Sequence, residues 1–258
     1  MALPFSELNA PASWRRLAFL SDVHLQVTEG ATLAAWEQAL HHCQADALFV
    51  LGDLFEVWVG DDAALEANSF EAHCLQVLRT CNAQRPVYFM HGNRDFLLGP
   101  QAAALSGMHL LDDPTVLVWG HTRTLLTHGD ALCVDDLPYQ AFRQQVRHSD
   151  WQQTFLAQPL HERRAQAAAM RSRSEANKQT AGTTDVDKPT AQAWLHAAQA
   201  QLLIHGHTHQ PTFEKSGAMQ RLVLSDWEAT AQPARLEMVE LTLGENEVSL
   251  QIERKSLA

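Results

Sequence analysis

The stretch Ala47-Leu48-Phe49-Val50-Leu51-Gly52-Asp53 is an apolar run of buried-strand length that stops at a glycine and a carboxylate. The glycine lets backbone come close to a cation, and the carboxylate then reaches over the rim of a sheet, where it can bridge two cations. Four other segments place metal-ligand side chains at the end of an apolar run: Asp22-Val23-His24, His91-Gly92-Asn93-Arg94-Asp95, His128-Gly129-Asp130 and His205-Gly206-His207-Thr208-His209. Asp, Asn and His are donors that hard or borderline divalent cations take, and a parallel sheet gathers its strand ends on one rim. A metal-centred hydrolase is expected.

Outward from residues 47–53, runs of strand length recur at Leu17 to Leu20, Val87 to Met90, Thr124 to Thr127 and Leu202 to Ile204. Together the five predict a sheet covered on both faces. Leu33, Trp36 and Leu40 recur at helical spacing between the first two runs, and Phe70, Cys74, Val77 and Leu78 do so before the third. Alternating strand and helix imply βαβ units, hence an α/β fold. After Asp136 strand signals almost vanish until about Ala200, and Ala165 to Met170 is Ala-rich. This reads as a helical insertion over about 137–200 within one domain spanning 1–258, with a loop at Ala181-Gly182-Thr183-Thr184. Extended patterns return at Leu222 to Leu224, Leu236 to Leu243 and Val248 to Ile252, with Gly244-Glu245-Asn246 as a hairpin turn, and predict a second sheet region.

The 258 residues, 46% of them hydrophobic, suffice for one large core. A net charge of -11 argues against a general polyanion binder, so no nucleic-acid partner is expected. Cys43, Cys74, Cys81 and Cys133 form no CxxC pair and read as reduced, buried thiols. The first sixteen residues lack an export signal, and no stretch approaches the roughly 20 apolar residues that cross a bilayer. The reading is a soluble or membrane-peripheral protein.

Taken singly, the motifs differ in weight. Asp22 and His24 point the same way in extended backbone, which suits two donors to one cation, yet an isolated Asp-x-His is more often a helix cap beside a surface histidine. Asn93 with Arg94 is more specific: a neutral oxygen for a metal beside a planar fork for a phosphate oxygen. Asp95 is read as orienting Arg94 or His91. His207 and His209 repeat the alternate-residue geometry after an apolar run. Glu56 reads more safely as a solvated or capping residue, and Asp61 and Asp62 as loop acids. His91 and His205 read as core histidines; His41, His42, His73, His109, His121, His148, His161 and His196, on expected helices or loops, receive no role.

The ordered set Asp-x-His, Gly-Asp, Gly-Asn-Arg-Asp, His-Gly-Asp and Gly-His-Thr-His, from Asp22 to His209, resembles the calcineurin-like metallophosphoesterase family. The resemblance implies a four-layer αββα sandwich with a helical cap and two divalent metal ions, often manganese. By position, one metal would take Asp22, His24, Asp53 and His209, and the other Asp53, Asn93, His128 and His207. The strings Leu51 to Glu56, His91 to Gly99 and His128 to Asp136 resemble the branch that cleaves the pyrophosphate of UDP-2,3-diacylglucosamine in lipid A biosynthesis. That branch yields UMP and 2,3-diacylglucosamine 1-phosphate at the cytoplasmic face of the Gram-negative inner membrane, as a peripheral protein. Asp53, Asn93, Arg94 and His128 would be catalytic; Asn93, Arg94, Asp136 and His207 would contact substrate, with Ser174, Asn177 and Lys178 from the insertion.

In a site with two cations roughly 3.5 to 4 Å apart a shared water ionises near neutral pH, so attack at the α-phosphorus is expected. Arg143, Arg147, Arg163, Arg164, Arg171, Arg173 and Lys178 outnumber Asp150, Glu162 and Glu175 in the insertion, a local positive balance suited to a nucleotide diphosphate or an anionic membrane surface. Trp151, Phe155, Leu156 and Leu160 could line an acyl groove or simply dock the insertion. No protein partner is implied. The rival functions are hydrolysis of a soluble nucleoside diphosphate sugar or a phosphoprotein, and a metal-free scaffold, which would be expected to have lost ligands. The donor set admits manganese, zinc, iron or magnesium.

Overall fold

The computed structural model describes residues 5–181, 185–217 and 219–257, and for 172–181 the backbone only. In chain order the elements are β1 (Ser6–Asn9), β2 (Arg16–Leu20), α1 (Gly30–His42), β3 (Ala47–Leu51), α2 (Phe70–Asn82), β4 (Val87–Met90), α3 (Pro100–Ser106), β5 (His109–Leu111), β6 (Thr115–Trp119) and β7 (Thr122–Leu126). Then follow α4 (Leu137–Val146), α5 (Ser149–Leu156), α6 (Leu160–Ala181), α7 (Lys188–Ala198), β8 (Leu202–His205), β9 (Thr212–Ser216), β10 (Met219–Val223), β11 (Glu237–Leu243) and β12 (Leu250–Ser256).

The five runs that predicted one sheet divide between two. β2, β3 and β4 lie in a sheet ordered β12-β11-β2-β3-β4-β5, whereas β7 and β8 lie in β1-β6-β7-β8-β10-β9. Side-chain alternation makes the layers. Leu17, Phe19, Ala47, Phe49 and Leu51 face Leu117, Leu126, Ile204 and Leu222 of the other sheet. Ala18, Leu20, Leu48 and Val50 face outward onto Trp36, Ala39 and Leu40 of α1 and Cys74, Leu75 and Leu78 of α2. On the opposite outer face Val116, Leu125 and Leu203 meet Ala191, Leu195 and Ala198 of α7. The result is helix, sheet, sheet, helix, with central strands such as β3 and β8 buried on both sides because both of their faces have a partner, while the edge strands β1, β5, β9 and β12 are partly exposed. β11 and β12 pair as the expected hairpin, with Gly244 N–H donating to Ser249 O at 2.9 Å.

All four cysteines are buried, and none forms a disulfide among the described residues. Among the described residues no helix is long and apolar enough to cross a membrane. His109 opens β5 rather than lying on a helix or loop.

The chain leaves the sandwich after Leu132 and returns at Asp187, whose N–H donates to Leu132 O at 2.9 Å. Between these points α4, α5 and α6 form a cap over the ends of the strands. Trp151, Phe155 and Leu160 join the apolar cluster that includes Trp58, Leu97 and Leu98, so they dock the cap, while Leu156 is exposed. Arg163 of α6 is buried, with Nη1 donating to Val59 O at 2.5 Å and its fork on the Asp62 carboxylate. The Ser174, Asn177 and Lys178 side chains lie outside the described residues, as do Arg173 and residues 182–184.

Phe49 sits at the centre of the inter-sheet layer, its ring 4.9 Å from Phe19 and 5.0 Å from Tyr88, both nearly parallel to it. Replacing it with Ala should cost about 3 to 5 kcal/mol in denaturant unfolding. A loss below about 1 kcal/mol, the level of an average substitution, would contradict this placement.

Candidate metal centre

The strand ends from both sheets meet at one rim, and hydrogen bonds between the segments leaving them set the spacing. Asp22 N–H donates to Gly52 O at 3.1 Å and His24 N–H to Asp53 O at 3.0 Å, which zips the first segment to the second. Gly206 N–H donates to His128 O at 3.0 Å, joining two more. Asp95 is fully buried and accepts from Gly92 N–H at 2.8 Å, Leu54 N–H at 2.8 Å, and Asp53 and Phe55 N–H at 3.3 Å. It therefore clamps the Asp53 loop to the Asn93 loop, rather than orienting Arg94 or His91 as its position suggested. Gly92 permits this closeness: a Cβ there would fall 2.1 Å from Asp53 Oδ1.

Five of the donor candidates, Asp22, His24, Asp53, His207 and His209, hold left-handed backbone, with φ between 52° and 65°. That conformation costs roughly 1–2 kcal/mol for each non-glycine residue, and Asp and His are among the residues that adopt it. Bending away from the strand direction, they turn their side chains toward one another.

The donors form two neighbouring groups. Asp22, His24 and His209 have ligand atoms within 4.8 Å of one another, as do Asp22, Asp53 and His128. His24 Nε2 and His209 Nε2 are 3.3 Å apart, and His209 Nε2 is 3.4 Å from Asp22 Oδ1. On the other side Asn93 Oδ1 lies 3.0 Å from His128 Nε2 and 2.9 Å from His207 Nδ1, and Asp53 Oδ1 is 3.7 Å from His128 Nε2.

The far nitrogens of three rings each face an oxygen, and one of them is hydrogen-bonded. His128 Nδ1 faces Leu51 O at 2.9 Å, His24 Nδ1 lies 2.9 Å from Glu56 Oε2 without good hydrogen-bond alignment, and His209 Nδ1 is 3.6 Å from Asp226 Oδ2. With a proton on each Nδ1, a bound cation would take the inward Nε2 lone pairs in place of any second proton. Glu56 is thus buried beside a ring, not solvated, and Arg171 of α6 is its cationic partner. Asp226 escaped the sequence reading although it follows the apolar run Leu222 to Leu224, the same signal that marked the other segments.

Charge at the rim calls for cations. Burial pushes the Asp22 carboxyl up, but His209, His128 and His24 outweigh it and hold the group well below the usual carboxylate range. Burial would lower His128, yet Asp53, Asp22 and Asp130 drive it up to about 9. His207 is pushed down to about 4, by burial first and then by His128. Among the described residues Asp22 Oδ1, which is buried, has no hydrogen-bond partner. An orphaned carboxylate oxygen, lone pairs facing one another and an excess of negative charge fit two divalent metal ions.

Around this centre, Arg94 N–H donates to Asp53 Oδ1 at 2.8 Å, and its buried Nε has no hydrogen-bond partner among the described residues. Asp136 caps α4, its Oδ1 accepting Tyr139 N–H at 3.0 Å. Asp61 is not an idle loop acid: it accepts from Gly99, Gln101 and Ala102 N–H at the start of α3.

A sequence profile of the calcineurin-like phosphoesterases matches residues 15–211. Three curated relatives carry the description UDP-2,3-diacylglucosamine hydrolase. One from Chromobacterium violaceum is 46% identical over 219 residues, 81% of this chain and 89% of the relative. One from Escherichia fergusonii is 44% identical over 218 residues, 81% of this chain and 90% of the relative. One from Bordetella parapertussis is 40% identical over 237 residues, 88% of this chain and 92% of the relative.

Gly92→Ala would force the Asp53 loop away from the Asn93 loop. Metal titration should then show an affinity loss of about 10-fold or more, the scale seen when groups supporting metal ligands are disturbed. Wild-type affinity would mean that the two loops are not held at this spacing.

Proposed function

Because the chain belongs to the calcineurin-like phosphoesterase family, we propose that it uses its metal centre to hydrolyse the pyrophosphate of UDP-2,3-diacylglucosamine in lipid A biosynthesis. The products are UMP and 2,3-diacylglucosamine 1-phosphate. The carrying observation is the paired donor cluster at the rim, complete from Asp22 to His209, in a chain similar over most of its length to relatives of that description. Asp22, His24, Asp53 and His209 would hold one ion and Asp53, Asn93, His128 and His207 the other, with manganese as the preferred metal.

When bound, two divalent cations activate water as a nucleophile and offset charge on phosphate oxygens. The chain's own residues do the positioning. Asp22 is the carboxylate common to both groups of ligand atoms, while Asp53, with Oδ1 3.7 Å from His128 Nε2, would be the one shared between the ions by resemblance to the family. Arg94, anchored through its backbone on Asp53 and with its Nε unpartnered, offers its guanidinium to phosphate oxygens, where a fixed charge favours the transition state. His207 and Asp136 would contact the substrate at the cap side, and Ser174, Asn177 and Lys178 from α6. In the reaction a water oxygen bonds to the α-phosphorus and the bond to the bridging oxygen breaks. The acylated sugar phosphate leaves and the water's proton passes to solvent.

Pairing within the protein limits what the cap's basic residues can do. Arg143 and Arg163 are tied to Asp130 and Asp62, Arg164 to Glu66 and Arg171 to Glu56, so their charge is spent on the sandwich. Peripheral binding at the cytoplasmic face of the inner membrane would then rest on the bound lipid and on exposed apolar side chains such as Leu137, Phe142 and Leu156.

Asp53→Asn should retain the fold, since Asn also accepts left-handed backbone, and should lose roughly 10³-fold or more in turnover, the scale lost when one preorganised electrostatic partner goes. Near-normal turnover would remove Asp53 from its bridging role. In oxygen-18 water the label should appear in UMP; label in the sugar phosphate would overturn attack at the α-phosphorus. A soluble nucleoside diphosphate sugar cleaved as well as the acylated substrate would favour the rival reading.

A further inference from the structure

We propose that Asp130 is a positioning residue for the reaction: its buried carboxylate latches the first cap helix to the rim and so holds the loop that carries Asn93 and Arg94. Asp130 follows His128 by two residues and is fully buried. Its Oδ2 accepts from Tyr139 Oη at 2.5 Å and from Arg143 Nε at 2.8 Å, and its backbone oxygen accepts from Gln140 Nε2 at 2.8 Å. Residues 139, 140 and 143 share one face of α4. One turn further on that face, Arg147 Nη2 donates to Gly92 O at 2.7 Å, and its guanidinium stands 5.4 Å from the Phe96 ring. Gly92 immediately precedes Asn93, so α4 is fastened at one end to the His128 loop and at the other to the Asn93 loop.

The chemistry of the contact sets the angle of the helix. Apolar side chains alone would hold α4 against the rim over a range of rotations, whereas a carboxylate removed from water is satisfied only where both donors reach it. Arg143 adds a second tie: Nη2 lies 3.6 Å from Asp113 Oδ2, while Asp113 Oδ1 accepts from Thr127 Oγ1 at 2.6 Å and His128 N–H at 3.3 Å. The Tyr139 ring stacks near the His207 ring, with centroids 6.0 Å apart and 29° between planes. The latch thus sets the height of the cap above the donor cluster and the place of the Asn93 and Arg94 loop beneath it. A substrate that spans both should be bound through this arrangement, while for the bond-breaking step the Asp95 clamp, which the latch does not touch, still holds the Asn93 and Arg94 loop against the Asp53 loop.

Tyr139→Phe, Arg143→Gln and the double variant test this, since they leave Asp130 and the His128 backbone in place and keep a ring beside His207. In the manganese-loaded enzyme, hydrogen exchange at residues 137–147 should quicken by about 10-fold in the double variant, with the sandwich strands and the metal content unchanged. KM for UDP-2,3-diacylglucosamine should rise about 10-fold with kcat within about threefold, and Arg143→Lys should recover part of the loss. Unchanged exchange in α4 would overturn the latch. So would exchange quickened throughout the sandwich, or kcat lost at constant KM. The kinetic arm rests on the proposed reaction, but the exchange arm does not: a wild-type enzyme inactive on this substrate would refute that reaction, and the exchange data would still decide the latch.

Discussion

Everything at the rim answers to one constraint: four carboxylates, Asp22, Asp53, Asp95 and Asp130, are almost wholly removed from water within a few residues of one another's loops. A buried carboxylate costs several kcal/mol unless donors or opposite charge replace its hydration. Each is satisfied by a different means. Asp95 takes four backbone amides, and in doing so becomes the pin between two loops. Asp130 takes a phenol and a guanidinium from the cap. Asp22 and Asp53 are left facing imidazoles whose lone pairs also point inward, an arrangement that fits cations between them.

That division separates architecture from chemistry. The carboxylates met by protein donors join loops and cap to the rim; those left without a full set of donors lie in the two groups that could hold metal ions. The left-handed backbone at Asp22, His24, Asp53, His207 and His209 belongs to the same pattern, because strained conformations persist where the surroundings over-determine them. Here the surroundings are two sandwiched sheets, whose hydrogen-bonded strand ends leave the intervening segments little freedom.

The cap is held by the same kind of force. Arg163 on Asp62, Arg143 on Asp130 and Arg171 on Glu56 are three contacts that cross from cap to sandwich, and the last reaches an acid that also touches the His24 ring. Glu56 is therefore a shared neighbour of the cap and of a donor ring. Four of the basic residues that read as a binding patch in one dimension, Arg143, Arg163, Arg164 and Arg171, become in three dimensions ties to acids of the sandwich.

By itself the sequence determined the βαβ alternation, the C-terminal hairpin and the helical character of residues 137–181, since each follows from local periodicity or from residue types at fixed spacing. It also marked the seven donor candidates that the structure brings to one rim, because an apolar strand that stops at Asp, Asn or His carries its signal within a few residues. Only the tertiary structure decided that the five runs split between two sheets, since period-2 alternation is the same whichever sheet a strand joins. Likewise it decided that Glu56 and Asp226 lie beside the His24 and His209 rings and that Arg143, Arg163, Arg164 and Arg171 pair with acids. Those roles depend on partners up to 115 residues away, as Arg171 is from Glu56, and no local pattern records a contact made across such a separation.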